Sequence, residues 1–162
     1  MAEHKILIAG GGTGGHLFPA LAIGEEIHHR EPGAKIHYVG SNFGLEAKVF
    51  PVKDVWHTLL PIRGFQRGIS LQSLGRNSLL PVRIIRSMLK IRSLMNKFLP
   101  QVVVGTGGYA SALPLYMASK KNNPLPIILQ EQNSYPGMTT RWFADKAKQS
   151  VWPSTMQIPT WS

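Results

Sequence analysis

A glycine-rich segment near the N-terminus limits the folds open to this chain more than any other feature. Residues 10–15 read GGGTGG and stand between an apolar run at residues 5–9 and a helical pattern at residues 17–30. Glycines allow positive φ angles and close approach of the backbone to a ligand. A helix that begins directly after them offers unpaired N–H groups and the positive end of its dipole to a phosphate. The segment therefore predicts a strand–turn–helix unit that binds a phosphorylated ligand.

Apolar runs alternate with helical patterns along the rest of the chain. Further strands are predicted at residues 35–40, 56–60, 101–105 and 126–130, and from residue 151. Helices are predicted at residues 45–50, 79–98, 110–120 and 138–148. Such alternation is typical of a parallel sheet that is covered by helices on both faces. We predict an α/β fold, a Rossmann-like doubly wound parallel sheet, in one domain over residues 1–150, with an irregular tail at residues 151–162.

A second glycine-rich segment, GTGGYAS at residues 105–111, follows the fourth predicted strand. In the usual doubly wound order, 3-2-1-4-5-6, the first and fourth strands are neighbours, and ligands bind in the crevice at their carboxyl ends. Two glycine loops would line that crevice, which indicates a diphosphate rather than a single phosphate. The polar residues 130–133 follow the fifth strand and would lie on the same edge, although an ordinary turn explains them equally well.

The first glycine loop also fits a different class of protein. Gly10, Gly12 and Gly15 satisfy the dinucleotide pattern G-x-G-x-x-G. That pattern requires an acid for the ribose at the end of the second strand, where this chain reads YVGSN at residues 38–42. A nicotinamide-dependent oxidoreductase is therefore the weaker alternative. A tight turn for packing alone is a further alternative, but it needs one or two glycines rather than five.

The positive charge is concentrated in one stretch of the chain. The formal net charge is +10, and no Asp or Glu occurs between Val55 and Gln130. Such a stretch indicates an anionic partner. Arginines beside apolar residues are typical of a segment that lies on an anionic membrane. The residues predicted to form this membrane patch are Ile69, Leu74, Arg76, Leu79, Arg83 and Arg86. A solvated basic face is the alternative, and nucleic acid is disfavoured because no aromatic residues alternate with the charges.

Histidine is the candidate catalytic residue type, because cysteine is absent and thiolate chemistry is excluded. His16 directly follows the first glycine loop, and a helix N-terminus favours the neutral imidazole that a general base requires. The spacing of the other five histidines builds no metal site, and we predict neither a metal nor a cofactor. No apolar run reaches 18 residues, so we expect a cytoplasmic protein without a membrane span.

The run AGGGTGGHLFPALA at residues 9–22 resembles the first glycine loop of the MurG family of N-acetylglucosaminyltransferases. Shorter matches follow in the same order, at residues 39–40, 45–46, 62–64, 105–111 and 131–133. The resemblance implies a GT-B architecture, in which two Rossmann-like domains face a cleft. It further implies that this chain is the N-terminal, acceptor-binding half and that the C-terminal donor domain is absent. Gln130 stands where a His is common in the family.

The resemblance also implies an activity and a set of site residues. The family members are inverting hexosyltransferases that transfer GlcNAc from UDP-GlcNAc to lipid I (undecaprenyl-diphosphate-MurNAc-pentapeptide) and form lipid II for peptidoglycan synthesis. The residues expected to contact UDP-GlcNAc are Thr13, Gly14, Gly15 and Asn133. Those expected to hold the acceptor diphosphate are Gly12, Gly107, Gly108 and Tyr109, with His16 as the catalytic base.

The same resemblance sets expectations for partners. We expect the chain to be inactive alone and to lie peripherally on the inner face of the cell membrane. Its partners would be UDP-GlcNAc, lipid I, and the missing donor domain or a separate chain that supplies it. The alternative is a stand-alone membrane-recruitment subunit of a split glycosyltransferase.

Overall fold

The computed structural model describes residues 3–63, 79–120 and 122–151. The strands are β1 (Lys5–Gly10), β2 (Lys35–Ser41), β3 (His57–Leu60), β4 (Val102–Gly107), β5 (Ile127–Gln130) and β6 (Gln149–Val151). The helices are α1 (Gly14–Arg30), α2 (Glu46–Val52), α3 (Leu80–Phe98), α4 (Tyr109–Ser119) and α5 (Met138–Phe143), and a short 3-10 turn at Ala144–Lys146 precedes β6. No helix within these ranges is both long enough and apolar enough to cross a membrane.

The six strands form one parallel sheet in the order β3-β2-β1-β4-β5-β6. This order confirms the prediction of a doubly wound sheet. Because β1 and β4 are neighbours, the direction of winding reverses between them, and a crevice opens outside their carboxyl ends. Both glycine loops leave the sheet at this point.

The side chains of β1 alternate between the two faces of the sheet, as the two-residue period of a strand requires. Leu7 and Ala9 belong to the core cluster that includes residues of α3 and α4. Ile6 and Ile8 belong to the other cluster, which includes residues of α1 and α2. The sheet is therefore covered by helices on both faces, and its strands are apolar on both sides.

The predicted helix at residues 138–148 is wrong in its second half. α5 ends at Phe143, and the chain then returns to the sheet as β6. The N–H of Lys148 donates to the carbonyl of Ile127, and the N–H of Glu131 donates to the carbonyl of Val151. These hydrogen bonds pair backbone groups along the edge of β5 with the following chain. Residues 149–151 therefore form a strand beside β5, and the helix is not extended. Residue 151 thus belongs to the sheet, and the rest of the predicted tail, residues 152–162, lies outside the described residues.

α1 begins at Gly14, three residues before its predicted start. The carbonyl of Thr13 accepts the N–H groups of His16 and Leu17, at 3.2 and 3.1 Å. The second half of the first glycine segment is therefore the first turn of a helix rather than a loop.

Gly24 in α1 makes room for Tyr38 of β2. A Cβ atom at Gly24 would overlap the hydroxyl oxygen of Tyr38, whose side chain is almost fully buried. Burial raises the pKa of Tyr38 to about 12. The ring belongs to the core cluster beneath α1, so displacing it would disturb that packing.

We expect Gly24→Ala to lower the free energy of unfolding by about 1–3 kcal/mol through overpacking, against the gain of about 1 kcal/mol that alanine brings to a helix. Gly33→Ala is the matched control, because a Cβ at Gly33 meets no atom within 4 Å. Urea denaturation measures both variants. Equal stability of the two would contradict the expectation.

Candidate functional site

The two glycine loops begin as paired residues of neighbouring strands. Ala9 pairs with Gly105 and Gly10 pairs with Gly107, so Thr106 is an extra residue in β4. A bulge of this kind turns backbone and side-chain groups away from the regular ladder. The hydroxyl of Thr106 donates to the carbonyl of His16 at 2.8 Å, and the carbonyl of Thr106 lies 3.0 Å from His16 Nδ1. The bulge therefore attaches the second glycine loop to the first turn of α1.

Glycines of the two loops pack directly against the opposite loop. A Cβ at Gly107 would lie 2.6 Å from Nδ1 of His16, and one at Gly108 would overlap the carbonyl oxygen of Gly11. Gly107 and Gly108 also have positive φ angles, 101° and 78°, which favour glycine. Contact between the loops therefore requires glycine at these two positions, whatever ligand binds.

Gly14 and Gly15 differ from these glycines, because packing does not explain their missing side chains. A Cβ at Gly15 would meet its nearest atoms at 3.6 and 3.8 Å, which is ordinary contact, and one at Gly14 would meet the exposed ring of Phe18 at 3.1 Å. Their N–H groups lie in the first turn of the helix, where no carbonyl of a preceding helical turn is present to accept them. The hydroxyl of Thr13, the N-cap residue, makes no capping hydrogen bond. This open helix start is suited to an anion.

A buried carboxylate holds the first glycine loop in place. Glu46 is fully buried, and its two oxygens accept the N–H of Gly12 at 3.1 and 2.9 Å. Oε1 also accepts the N–H of Ser41 at 2.7 Å. The N–H of Gly12 is therefore occupied by Glu46, and contact between Gly12 and the acceptor diphosphate stays a prediction.

Glu46 also weakens the dinucleotide alternative. In that pattern the second glycine lets the backbone approach the pyrophosphate, and here this glycine is Gly12, which faces a carboxylate. The negative charge of Glu46 disfavours a pyrophosphate at the same N–H. Sequence reasoning missed this residue because the acid follows β2 by five positions and lies on a separate short helix.

The hydrogen bonds of His16 define which ring nitrogen can act as a base. The carbonyl of Thr106 is only an acceptor, so in the neutral imidazole Nδ1 carries the proton and Nε2 is the basic nitrogen. The side-chain amide of Gln132 lies 2.9 Å from the same Nδ1, by its Nε2 atom. Because Nδ1 donates, the amide is better satisfied when rotated to present its oxygen. Sequence reasoning missed both Thr106 and Gln132 as partners of His16.

Glu131 organises the segment after β5. Its carboxylate accepts the N–H and the side-chain amide of Asn133, at 3.1 and 2.8 Å. It also accepts the N–H of Gly137 and the hydroxyl of Thr140, both at 2.9 Å. Burial by itself raises the pKa of Glu131, but these hydrogen bonds outweigh burial and lower the pKa below its usual value. The charged carboxylate thus fixes the Asn133 amide within the segment after β5.

A cavity of 530 Å³ lies beside His16 and the second glycine loop. His16, Gly108 and Tyr109 contribute polar groups to its lining. Most of the remaining lining is apolar and includes Ile62, Leu80, Ile84, Leu113, Met138 and Trp142. Such a cavity suits a ligand that carries a polar group next to an apolar part.

A second cavity, of 470 Å³, has no connection with the glycine loops. Gly24, Tyr38 and Trp56 are among its lining residues, together with Lys35 at the start of β2. Lys35 lies at the amino end of its strand, and the crevice lies at the carboxyl ends. We assign this cavity no part in the site.

The predicted membrane patch is only partly within the described residues. Ile69, Leu74 and Arg76 lie outside them. Leu79 and Arg86 are exposed at the N-terminal end of α3. The guanidinium of Arg83 lies instead against the ring of Phe43, 5.2 Å from its centre. Membrane contact stays a prediction.

Comparison with known proteins agrees with the fold of this chain. The family model described as "Glycosyltransferase family 28 N-terminal domain" matches residues 6–151. The chain is 43% identical over 143 residues to a UDP-N-acetylglucosamine–N-acetylmuramyl-(pentapeptide) pyrophosphoryl-undecaprenol N-acetylglucosamine transferase of Chlorobaculum tepidum, which covers 88% of this chain and 39% of that protein. It is 42% identical over 146 residues to the enzyme of the same name from Bacteroides thetaiotaomicron, with 90% and 38% covered.

A solved structure supports the same fold. The crystal structure of Acinetobacter baumannii MurG matches with a TM-score of 0.72 at 22% identity, over 98% of this chain and 44% of that one. The fold is thus the Rossmann-like α/β half of a GT-B glycosyltransferase. The chain belongs to glycosyltransferase family 28, of which it carries the N-terminal domain. It spans about two fifths of the length of the relatives that it matches.

We expect Glu46→Gln to lower the free energy of unfolding by about 1–3 kcal/mol, because the amide replaces one acceptor oxygen by a buried NH₂ group that faces backbone donors. Glu26→Gln is the control, since Glu26 is exposed and pairs only with Arg30 on the same helix, a contact that contributes about 0.3–0.5 kcal/mol. Urea unfolding at pH 7 compares them. A Glu46 variant as stable as the Glu26 variant would show that the carboxylate does not hold the loop.

Proposed function

We propose that this chain is the acceptor-binding half of a transferase that moves GlcNAc from UDP-GlcNAc to lipid I, and that it is inactive without a donor half. A C-terminal continuation or a separate chain supplies that half. One observation carries the proposal: the open helix start at Gly14 and Gly15 adjoins an imidazole whose Nε2 is free to take a proton. The names of the relatives supply the substrates.

The proposed reaction is a single displacement at the anomeric carbon of GlcNAc. The acceptor hydroxyl attacks that carbon, a β-1,4 bond forms, and the bond to UDP breaks with its electron pair leaving on the diphosphate. Nε2 of His16 accepts the hydroxyl proton as general base. The N–H groups of Gly14 and Gly15 and the positive end of the α1 dipole stabilise the charge that develops on the leaving diphosphate.

The other site residues have the following proposed roles. The hydroxyl of Thr13 and the amide of Asn133 contact UDP-GlcNAc, because the first makes no capping bond and the second is fixed by Glu131. Gly107, Gly108 and Tyr109 hold the acceptor diphosphate beside the 530 Å³ cavity, which Gly108 and Tyr109 line. Gly12 acts indirectly, by shaping the first loop.

The test uses this chain joined after residue 151 to the donor half of the Bacteroides thetaiotaomicron relative. We expect the joined protein to transfer GlcNAc and the isolated chain to show no transfer. His16→Ala should lower kcat about 10²–10⁴-fold, the usual contribution of a general base, with little change in the acceptor KM. An unchanged kcat would reduce His16 to a structural residue.

Gly15→Ala in the same joined protein separates ligand contact from folding. We expect a thermal stability no lower than that of the parent protein, because the added methyl group meets only ordinary contacts and alanine favours a helix over glycine. We also expect a raised KM for UDP-GlcNAc, because the methyl group keeps phosphate from the backbone. Gly33→Ala should change neither quantity. A Gly15 variant with normal KM would remove the helix start from the donor site.

We further propose that the N-terminal end of α3 contacts the anionic inner face of the cell membrane. Leu79 and Val82 are about half exposed, Trp142 is more exposed, and Arg86 lies on the surface. Basic residues near an anionic bilayer each contribute about 1 kcal/mol within a Debye length. The exposed apolar side chains also insert into the bilayer interface, and salt does not reverse that insertion.

The membrane proposal predicts binding to anionic but not to neutral vesicles, largely reversed by high salt. Arg86→Glu should weaken this binding more than Lys97→Glu, which makes the same charge change on nearly the same face of α3, about 16 Å further along. Vesicle sedimentation measures both variants. Equal effects would show that only net charge matters and that this end of α3 makes no contact.

A further inference from the structure

Two arginines converge on one aromatic ring beside the cavity. The guanidinium carbon of Arg63 lies 4.4 Å from the centre of the Phe43 ring, and that of Arg83 lies 5.2 Å from it. Phe43 follows β2, Arg63 follows β3, and Arg83 stands in the first turn of α3. The three side chains thus come together only through the fold.

A buried hydroxyl fixes two of these segments to each other. Ser41 is fully buried; its hydroxyl donates to the carbonyl of Ile62 at 2.6 Å and accepts the N–H of Phe43 at 3.0 Å. Phe43 carries the aromatic ring, and Arg63 directly follows Ile62 in the chain. The Ser41 hydroxyl therefore fixes the backbone from which both side chains extend. A guanidinium that lies against a ring keeps the N–H groups along its edge available for hydrogen bonds.

The two arginines have no carboxylate partner among the described residues. The ion pairs within those ranges use Glu3, Glu25, Glu26 and Glu31, and none involves Arg63 or Arg83. No Asp or Glu occurs between Val55 and Gln130. Two like charges at one ring repel each other, and an anion bound to both would remove that repulsion.

The cavity also lacks another fixed positive charge. Among its described lining residues, Arg63 is the only lysine or arginine, and the second glycine loop at residues 105–111 contains neither. A diphosphate carries at least two negative charges, and backbone N–H groups offer only partial charges in return. Arginine suits phosphate because its planar group gives two parallel hydrogen bonds.

We propose that Arg63 and Arg83, with Phe43 as their platform, bind the phosphate oxygens of a lipid-linked phosphate group at the Phe43 ring, next to this cavity. Two sources share this chemistry: the diphosphate of the lipid acceptor, which rests on the proposed function, and the headgroup of an anionic phospholipid. Phe43 is a positioning residue, since it orders the two guanidiniums.

The test measures binding of inorganic pyrophosphate to the 162-residue chain by titration calorimetry, and binding of phosphatidylglycerol vesicles by sedimentation. Arg63→Gln and Arg83→Gln should each weaken pyrophosphate binding about tenfold or more, the effect of losing a hydrogen bond between charged groups. Arg92→Gln is the matched control, because it removes the same charge from an exposed site on α3 nine residues from Arg83, which is the opposite side of the helix.

Phe43 provides the second variant. Phe43→Leu should weaken pyrophosphate binding and Phe43→Tyr should restore it, because only the second keeps the ring. Thermal unfolding of each variant shows that the fold is intact. A merely structural Phe43 would change the unfolding temperature and leave the binding of the folded chain unaltered.

The two arms distinguish the sources. Loss of pyrophosphate binding in both arginine variants, with vesicle binding no weaker than in Arg92→Gln, assigns the site to the acceptor diphosphate. If Arg63→Gln and Arg83→Gln each weaken both pyrophosphate binding and vesicle binding more than Arg92→Gln does, the site is assigned to a phospholipid headgroup. Arginine variants that match Arg92→Gln in both arms overturn the proposal. Neither readout depends on GlcNAc transfer, so failure of the proposed function is seen separately in the joined protein.

Discussion

Two hydrogen bonds between Thr106 and His16 connect the halves of the doubly wound sheet, and the arrangement of the site depends on them. One fixes the backbone of the first turn of α1, and the other fixes the imidazole ring. Both originate from the single extra residue in β4. In a regular ladder without this bulge, the Thr106 carbonyl would pair within the sheet instead of reaching His16. The bulge therefore determines both the orientation of the candidate base and the distance between the two glycine loops.

Acidic and basic side chains have different places in this molecule. Glu46 and Glu131 are buried and accept backbone N–H groups of the loops that surround the crevice. These carboxylates hold the loops in shape before any ligand arrives, which is the condition for preorganised stabilisation of charge. Arg63 and Arg83 pair with no described acid. The two buried carboxylates thus maintain the structure, whereas these two arginines are the groups proposed to bind an anion.

The fold could be predicted almost entirely from sequence, because the apolar runs are short, regular and separated by helical patterns. The second half of the predicted helix at residues 138–148 was the exception, since pairing with β5 depends on an edge that sequence does not display. Sequence analysis predicted which residues belong to the site but not which of them contact one another. The family resemblance assigned Gly12, Gly14 and Gly107 alike to ligand contact, whereas the structure separates those required by packing from those that are open.

The partners of His16 could not be predicted for a related reason. Thr106 and Gln132 become its neighbours only through the strand order and a one-residue shift in register. The role of Glu46, which sequence analysis noted only as part of a family match, could not be predicted because nothing local distinguishes a buried glutamate at the start of a short helix from an exposed one. Contacts between distant segments, rather than local preferences, define these roles.

The pairing of β1 with β4 has a consequence for the order of events during synthesis. His16 leaves the ribosome 90 residues before Thr106, and chains grow at about 5–20 residues per second. For several seconds β1 therefore has one uncovered edge, and the first glycine loop lacks its contacts with the second loop. Non-local contacts of this kind also slow folding, because the entropy of loop closure must be overcome first. A nascent chain that stops before β4 would contain the whole first glycine loop and yet no binding site.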